Sequence, residues 1–564
     1  MSPPPEFDPA AHAKACLARG DAQAARQAAL QFLAQAPARA DLWFLAGVAS
    51  LQLGALSEAA HALRRALALE PRLVEARANL GRVFEQQGEL AQAAESYQAA
   101  LAMQPKRAVL HVNLGSVLAR LGRTQEAERC FGQALQLDSR QASALANLGW
   151  LRYQGGEVTT GREMLERAIE IAPEHLLARY NLACVCREQA EPAAAEAHYR
   201  ELLRLDPRFV QAWFNLAYLL AEFGREAEAA SCYQKVLELA PDHSDAQVNL
   251  AWILLAQGDY ARGFALYEAR RVSQLAADSA APKVAFPEWR GEDLAGRSVL
   301  VWPEMRLGDE IVMARFVPAL KRRGAARVTV VCKPPLRALF QTLPGADGVL
   351  SLDQAQTQLP AHDYWVLQAS LPLRLGTRRE DAGAELPYLR ASAERVARWR
   401  GRLPEGSCKI GLVWKGSGGM LQDARSLAHL RELAPLWELG DLRFVSLQKG
   451  RGEDEASALL PGQALVHLGT DLQDFADTAA VLAQLDLLIS VDSAVVHLAG
   501  AMGKECWVLV PATRAFWLWG RETDTTPWYA PNLRLFRQRL GEPWSACIER
   551  VRDALAERIA ARSA

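Results

Sequence analysis

The sequence predicts a multidomain chain in which an all-α array of paired helices precedes an α/β region of two doubly wound lobes. Three observations carry that prediction. A small set of residues recurs every 34 positions through the first half. The rhythm stops after Arg271. Beyond it, short β-branched apolar runs alternate with helical stretches, the pattern of parallel strands buried on both faces. At 564 residues the chain is also too long for one core, and about three or more folded units are expected.

Within the array, Asn79, Asn113, Asn147, Asn181, Asn215 and Asn249 stand 34 apart, and each precedes Leu. Pro37, Pro71, Pro105, Pro173, Pro207 and Pro241 keep the same step, with Ser139 as the one break. Gly20, Gly54, Gly88, Gly122, Gly156, Gly224 and Gly258, with Ala190 in the sixth place, mark the turn inside each pair. Small residues follow five positions later at Ala25, Ala59, Ala93, Ala127, Gly161, Ala195, Ala229 and Gly263. Gly ends the first helix, the small residue admits the second against it, and Pro stops the second. A lone pair cannot bury its apolar face, so the pattern must repeat.

This stretch resembles the tetratricopeptide family, with about eight repeats over residues 1–275. The resemblance implies a superhelix whose first helices line a groove that holds a polypeptide partner. The six asparagines could then clamp the backbone of an extended acceptor, since an amide both donates and accepts. They fit equally as the common residue of that repeat position. Trp43, Trp213 and Phe214 read as packing residues.

The stretch Ser273 to Pro287 is rich in Ala, Ser and Pro and reads as a linker, placed at residues 276–293. The apolar runs that follow are Val299–Val301, Val328–Val331, Ile410–Val413, Phe444–Leu447, Leu487–Val491 and Trp507–Val510. Pro404 and Gly406 divide them, giving expected lobes at 294–403 and 404–564. Ligands of such lobes sit at the carboxyl ends of the strands.

Four motifs occupy those ends. Leu307-Gly308-Asp309-Glu310 follows the first strand and starts a helix, so Asp309 either faces the cleft or complements the helix dipole. Ser490-Val491-Asp492-Ser493 runs into a helix carrying His497. Its free amides suit a phosphate, although an Asp-Ser cap with a core histidine also fits. Trp414-Lys415-Gly416, with Arg425 further on, pairs a glycine-rich loop with two cations. Gln448 and Lys449 end a fourth strand.

In this order, and with Asp474 to Ala480, Trp528-Tyr529 and Leu535 to Gln538, the motifs resemble the heptosyltransferase-like glycosyltransferases of family 9. More closely, the chain is similar to bacterial proteins that fuse a tetratricopeptide array to such a domain. That resemblance implies a GT-B fold, a nucleotide-activated sugar as co-substrate and no further cofactor or metal. It implies that Asp309 is the catalytic base, with Lys415, Arg425, Gln448, Lys449, Asp492, Ser493 and His497 on the donor side. Ala494 stands where the family usually has Gly, and Trp517-Leu518-Trp519 replaces the Trp-Arg-Trp of the fused relatives.

The implied function is transfer of a sugar to Ser or Thr of a protein acceptor, flagellin being the acceptor of some similar fusions. A lipopolysaccharide or capsule transferase and a scaffold without turnover are the alternatives.

Composition bounds the rest. Lys and Arg number 64 against 65 Asp and Glu, which leaves no basic surplus for nucleic acid. Nine cysteines, only Cys184 and Cys186 being close, read as buried fillers in a reducing compartment. Ten histidines show no ligand spacing with Cys or Glu, so no metal is expected. The N-terminus lacks a basic segment before an apolar one, and no apolar run reaches spanning length. A cytoplasmic protein without a membrane span is expected.

Overall fold

The computed structural model describes residues 8–273, 281–383, 386–406, 408–416, 426–440, 442–457, 463–521 and 523–563. The chain forms two compact units, Met1–Ala212 and Trp213–Ala564. Sixteen α-helices precede the first strand among the described residues. They run in pairs from Pro9–Ala18 with Ala22–Leu33 to Ser244–Gln257 with Tyr260–Tyr267.

Each residue series answers a local backbone demand. The seven turn glycines take φ between 73° and 91°, where a Cβ is strained, and Ala190 in the same place takes φ 59°. A Cβ on Gly161 would stand 2.6 Å from the carbonyl oxygen of Gly149, so the paired helices meet there backbone to backbone. The prolines have a second use besides stopping helices. The carbonyl of Pro37 accepts from the Trp43 indole at 2.9 Å, that of Pro71 from Arg77 at 3.1 Å and that of Pro241 from Gln247 at 2.8 Å. Where Ser139 replaces Pro, the helix still ends at Leu137, because Asp138 is already extended.

Two all-parallel sheets follow. The first contains β1 (Ser298–Trp302), β2 (Arg327–Cys332), β3 (Gly348–Ser351) and β4 (Tyr364–Leu367) in the order β3-β2-β1-β4. The second contains β5 (Lys409–Val413), β6 (Arg443–Ser446), β7 (Leu465–His467), β8 (Leu487–Val491), β9 (Cys506–Val510) and β10 (Leu533–Arg537). Its order is β10-β9-β8-β5-β6-β7. In both sheets the chain direction of winding reverses beside the first strand, between β1 and β4 and between β5 and β8. A crevice therefore opens at the carboxyl ends of those four strands. The multidomain α then α/β architecture is the one expected from sequence.

The last two repeat pairs belong to the same compact unit as the sheets, and the last pair shares their core. Leu255, Tyr260 and Phe264 are buried in one apolar cluster with Ile311, Trp517 and Trp528. The Trp528 indole donates to the Tyr260 hydroxyl at 2.7 Å. Arg514 donates to the Tyr218 hydroxyl at 2.7 Å and pairs with Glu222, while Arg521 reaches Glu226 at 2.6 Å. Of the expected linker, residues 276–280 lie outside the described residues. Trp289 is fully buried and donates its N–H to the Trp365 carbonyl at 2.7 Å, extending the edge at β4.

Candidate functional site

The helix Leu307–Ala314 starts four residues after β1, and the helix Ala494–Ala501 starts two residues after β8. Both begin at the crevice of their own sheet, and they touch. A Cβ on Gly308 would lie 3.0 Å from Cδ2 of His497 and 3.4 Å from Cα of Ala494. Only a glycine leaves that approach open.

Asp309, the next residue, is half-buried, and its Oδ2 accepts the Arg306 N–H at 3.3 Å. Burial, reinforced by the negative charge of Asp492, outweighs that hydrogen bond and pushes its carboxyl up to about 6. Its neighbour Glu310 is fully buried and is pushed up to about 7 by burial. The Lys333 N–H donates to its Oε2 at 3.1 Å, and the Lys333 ammonium stands 3.6 Å from Oε1.

Across the contact, the Ser493 hydroxyl does not cap its helix but pairs with the Ser490 hydroxyl at 3.0 Å. The N–H groups of Ala494 and Val495 have no acceptor among the described residues. Such a helix start carries partial positive charge and free donors. His497 sits one turn on, with Nε2 3.7 Å from Oδ1 of Asp492 and Nδ1 3.2 Å from the Tyr529 hydroxyl. Its ring stacks on Trp519 with centroids 5.1 Å apart. Burial, with the positive charge of Arg315, drives its pKa down to about 3, so the imidazole is neutral.

Arg315 was not singled out by sequence. It is buried and has no carboxylate partner among the described residues, donating to the carbonyls of Val312 at 3.1 Å and Trp528 at 2.9 Å. Its guanidinium lies 4.7 Å from the Trp528 ring and 4.8 Å from that of Tyr529. The available signal was an arginine inside the apolar run Ile311 to Phe316.

The remaining donor-side candidates surround the ends of β5 and β6. Lys415 pairs with Glu455, whose other oxygen accepts the Leu430 N–H at 2.6 Å. Gln448 is buried and spends its amide on the main chain. Its Oε1 accepts from Trp414 and Lys415 at 3.0 Å each, and its Nε2 donates to the carbonyls of Lys415 at 3.0 Å and Arg451 at 2.8 Å. It therefore shapes the Lys415 turn from behind. Lys449 is exposed and donates to the Gly469 carbonyl at 3.2 Å. Arg425 lies outside the described residues. Asp477 is buried under Arg395 at 2.7 Å and the Trp399 indole at 3.1 Å, an anchor for the helix Ala393–Arg400.

A concavity of about 600 Å³ lined by Glu505, Trp507, Asn532, Arg534 and Arg558 opens at the starting ends of β9 and β10. That is the edge opposite the crevice, where parallel sheets do not place ligands. Among the described residues no three His, Cys, Asp or Glu side chains are grouped to hold a metal ion, and no helix is long and apolar enough to cross a membrane.

Comparison with known proteins adds the helical half. Tetratricopeptide repeat models match residues 10–62, 106–174, 180–232 and 232–264, and a TPR repeat model matches 81–122. The helical half is a tetratricopeptide repeat array. Protein FlbA of Caulobacter vibrioides is 28% identical over 321 residues, covering 53% of this chain and 52% of that protein. The chain thus spans about half the length of the curated relative it matches. Among solved structures, the APC/C hetero-tetramer Cut9–Hcn1 aligns over 44% of this chain and 50% of its own, with 18% identity and a TM-score of 0.40. PilF of Pseudomonas aeruginosa aligns over 37% and 95%, with 24% identity and a TM-score of 0.33.

In the tetratricopeptide array, Asn79, Asn147 and Asn249 each donate to the carbonyl four residues back in their own helix at 2.8 Å. One amide N–H is thereby committed locally, and the amide has an oxygen and a second N–H besides. Asn181 is buried, and Asn113 is half-buried.

Proposed function

We propose that the α/β region is a glycosyltransferase of GT-B architecture and that the chain transfers a sugar from a nucleotide-activated donor to Ser or Thr hydroxyls of a protein held by the tetratricopeptide array. The observation that carries this reading is the meeting of the Asp309 helix start with the Asp492–Ser493–His497 helix start at the carboxyl ends of two parallel sheets. A raised carboxylate on one side and free helix amides on the other supply complementary chemistry for one displacement.

In this reading the donor phosphates sit on the N–H groups of Ala494 and Val495, where the helix dipole favours anions. Asp492, Ser493 and neutral His497 shape that end, Lys415, Arg425 and Lys449 add positive charge, and Gln448 fixes the Lys415 turn. Asp309 takes the proton of the acceptor hydroxyl as its oxygen attacks the anomeric carbon. The carbon–phosphate oxygen bond breaks, and the nucleotide leaves with the bonding electrons onto the amides and cations. Attack opposite the leaving group inverts the anomeric centre. The sugar nucleotide is the only co-substrate required. The asparagine series then holds the acceptor backbone, with flagellin a candidate, and nine free cysteines support a cytoplasmic setting.

The test is to incubate the purified chain with flagellin and other candidate proteins and a panel of UDP-, GDP-, ADP-, dTDP- and CMP-sugars, read by intact mass. One acceptor should gain the mass of one sugar, and the matching nucleotide should raise the melting temperature. If no acceptor gains mass and no nucleotide shifts melting, the reading fails.

A further inference from the structure

The turn that carries Asp309 is held from the tetratricopeptide side. Between β1 and the Leu307 helix, Glu304 is buried at 3% exposure and Arg270, from the turn Glu268–Arg271 that ends the last repeat, at 0%. The two form a bidentate pair: Nε of Arg270 meets Oε2 of Glu304 at 3.0 Å, and Nη2 meets Oε1 at 2.7 Å. Glu304 Oε1 also accepts the Ala369 N–H at 2.9 Å, and Arg270 donates to the Ser370 hydroxyl at 2.8 Å. That hydroxyl donates to Glu268 at 2.7 Å, and Arg374 reaches the other oxygen of Glu268 at 3.1 Å. Every charge in the network is answered.

The next residue, Met305, has φ 72°, a left-handed backbone that a side chain resists unless its surroundings impose it. Here they do. The Lys333 ammonium donates to its carbonyl, and the Tyr267 hydroxyl, also from the last repeat, lies 3.4 Å from its sulfur. A buried ion pair is poor at adding stability compared with apolar packing, but it fixes direction, because breaking the alignment strands a charge without water.

We infer that Arg270 is a positioning residue for the Asp309 turn: from the end of the repeat array it fixes Glu304 and so sets the path of Glu304 to Gly308. Its catalytic consequence rests on the transferase reading, whereas the structural constraint does not.

The experiment compares the full-length chain with Arg270→Met/Glu304→Leu, which removes both charges and strands neither, and with Arg270→Lys, which keeps the charge but loses the fork. Hydrogen–deuterium exchange across residues 304–310 should speed up by about tenfold or more in the double variant and less in Arg270→Lys, with β1 and β8 unchanged. Turnover should fall by about tenfold with the donor KM within about twofold, the split expected of a misplaced base. Exchange that is unchanged in this segment, or raised equally in β1 and β8, overturns the inference. If the wild-type chain turns over no donor, the transferase reading falls and the exchange contrast alone still decides the role of Arg270.

Discussion

Gly308 abuts His497 so closely that a Cβ on the glycine would come within 3.0 Å of the imidazole Cδ2. The first lobe therefore touches the second at the residue before the candidate base. Gly308→Ala should force the two helix starts apart by a few tenths of an ångström without harming either sheet. We expect nucleotide affinity, measured by calorimetry, to fall by about tenfold, equivalent to about 1.4 kcal/mol. Unchanged affinity would mean that the contact does not set the donor site.

Asp309 links catalysis to stability with opposite signs. Its carboxyl sits at about 6 in the folded chain against 3.8 as the ordinary value, so between those values the folded state holds the proton more tightly than the unfolded one. The group thus costs nothing below about pH 4, its penalty grows between about 4 and 6, and the full cost is present above 6. The full gap would be about 3 kcal/mol, and partial exposure reduces it to roughly 1–2 kcal/mol. Asp309→Asn should unfold later than wild type at pH 7–8 and together with it near pH 3.5, while turnover drops by roughly 10²–10⁴. Wild-type kcat/KM should rise through about pH 6, and a flat profile between pH 5 and 7 would remove the base assignment.

Ala190 occupies a turn that seven other repeats give to glycine, at φ 59°. Ala190→Gly should stabilise the chain by about 0.5–1 kcal/mol, the relief of a left-handed Cβ less the entropy glycine brings to the unfolded chain. Gly156→Ala should cost a similar amount. Denaturant midpoints at constant slope would check both.

Replacing Asn147, Asn181 and Asn215 by Ala should weaken acceptor binding by about tenfold or more with donor binding intact, if the amides grip a peptide backbone. The local bond of Asn147 to Ser143 predicts a modest stability loss of about 1 kcal/mol at that site whichever way binding goes. Acceptor affinity equal to wild type, by fluorescence anisotropy, would reduce the series to repeat packing.

A chain beginning at Val272 should aggregate or lack a cooperative melt. It would lose Leu255, Tyr260 and Phe264 from the core that contains Trp517 and Trp528, together with Arg270 beneath Glu304. Loss of activity in such a truncation therefore carries no information about the acceptor. A cooperative melt like that of the full chain would contradict the shared core.

The array was legible because its signals are local. A left-handed turn, a backbone contact and a helix stop each demand one residue type, and the demand recurs every repeat. One further series obeyed the same step and went unread: Gly47, Gly81 and Gly115 would each bring a Cβ within 2.8 Å of Leu63, Tyr97 and Phe131 respectively. The six apolar runs lie in β1, β2, β5, β6, β8 and β9, and glycine, histidine or arginine interrupts β3, β7 and β10, whereas Tyr364–Leu367 of β4 is an apolar run that the sequence also offers. Asp309, Asp492 and His497 were placed together by their positions at strand ends. Arg315 escaped because its partner carbonyl at Trp528 is 213 residues away, and the shared core escaped because Tyr260 and Trp528 are 268 apart. Sequence periodicity reports neighbours along the chain and is blind to such pairs.

The joining of the last repeat to the α/β core has an evolutionary reading. Recombination at the Ala-, Ser- and Pro-rich stretch, where a change of pattern invites a crossover, would sever Tyr260 from Trp528 and Arg270 from Glu304. Exchanges of partner preference that keep this core intact fall before Trp213, in the unit of stacked repeats, which can be gained, lost or rewritten singly. Inheritance should therefore keep the final two repeats with the sheets as one block, while repeat number drifts upstream.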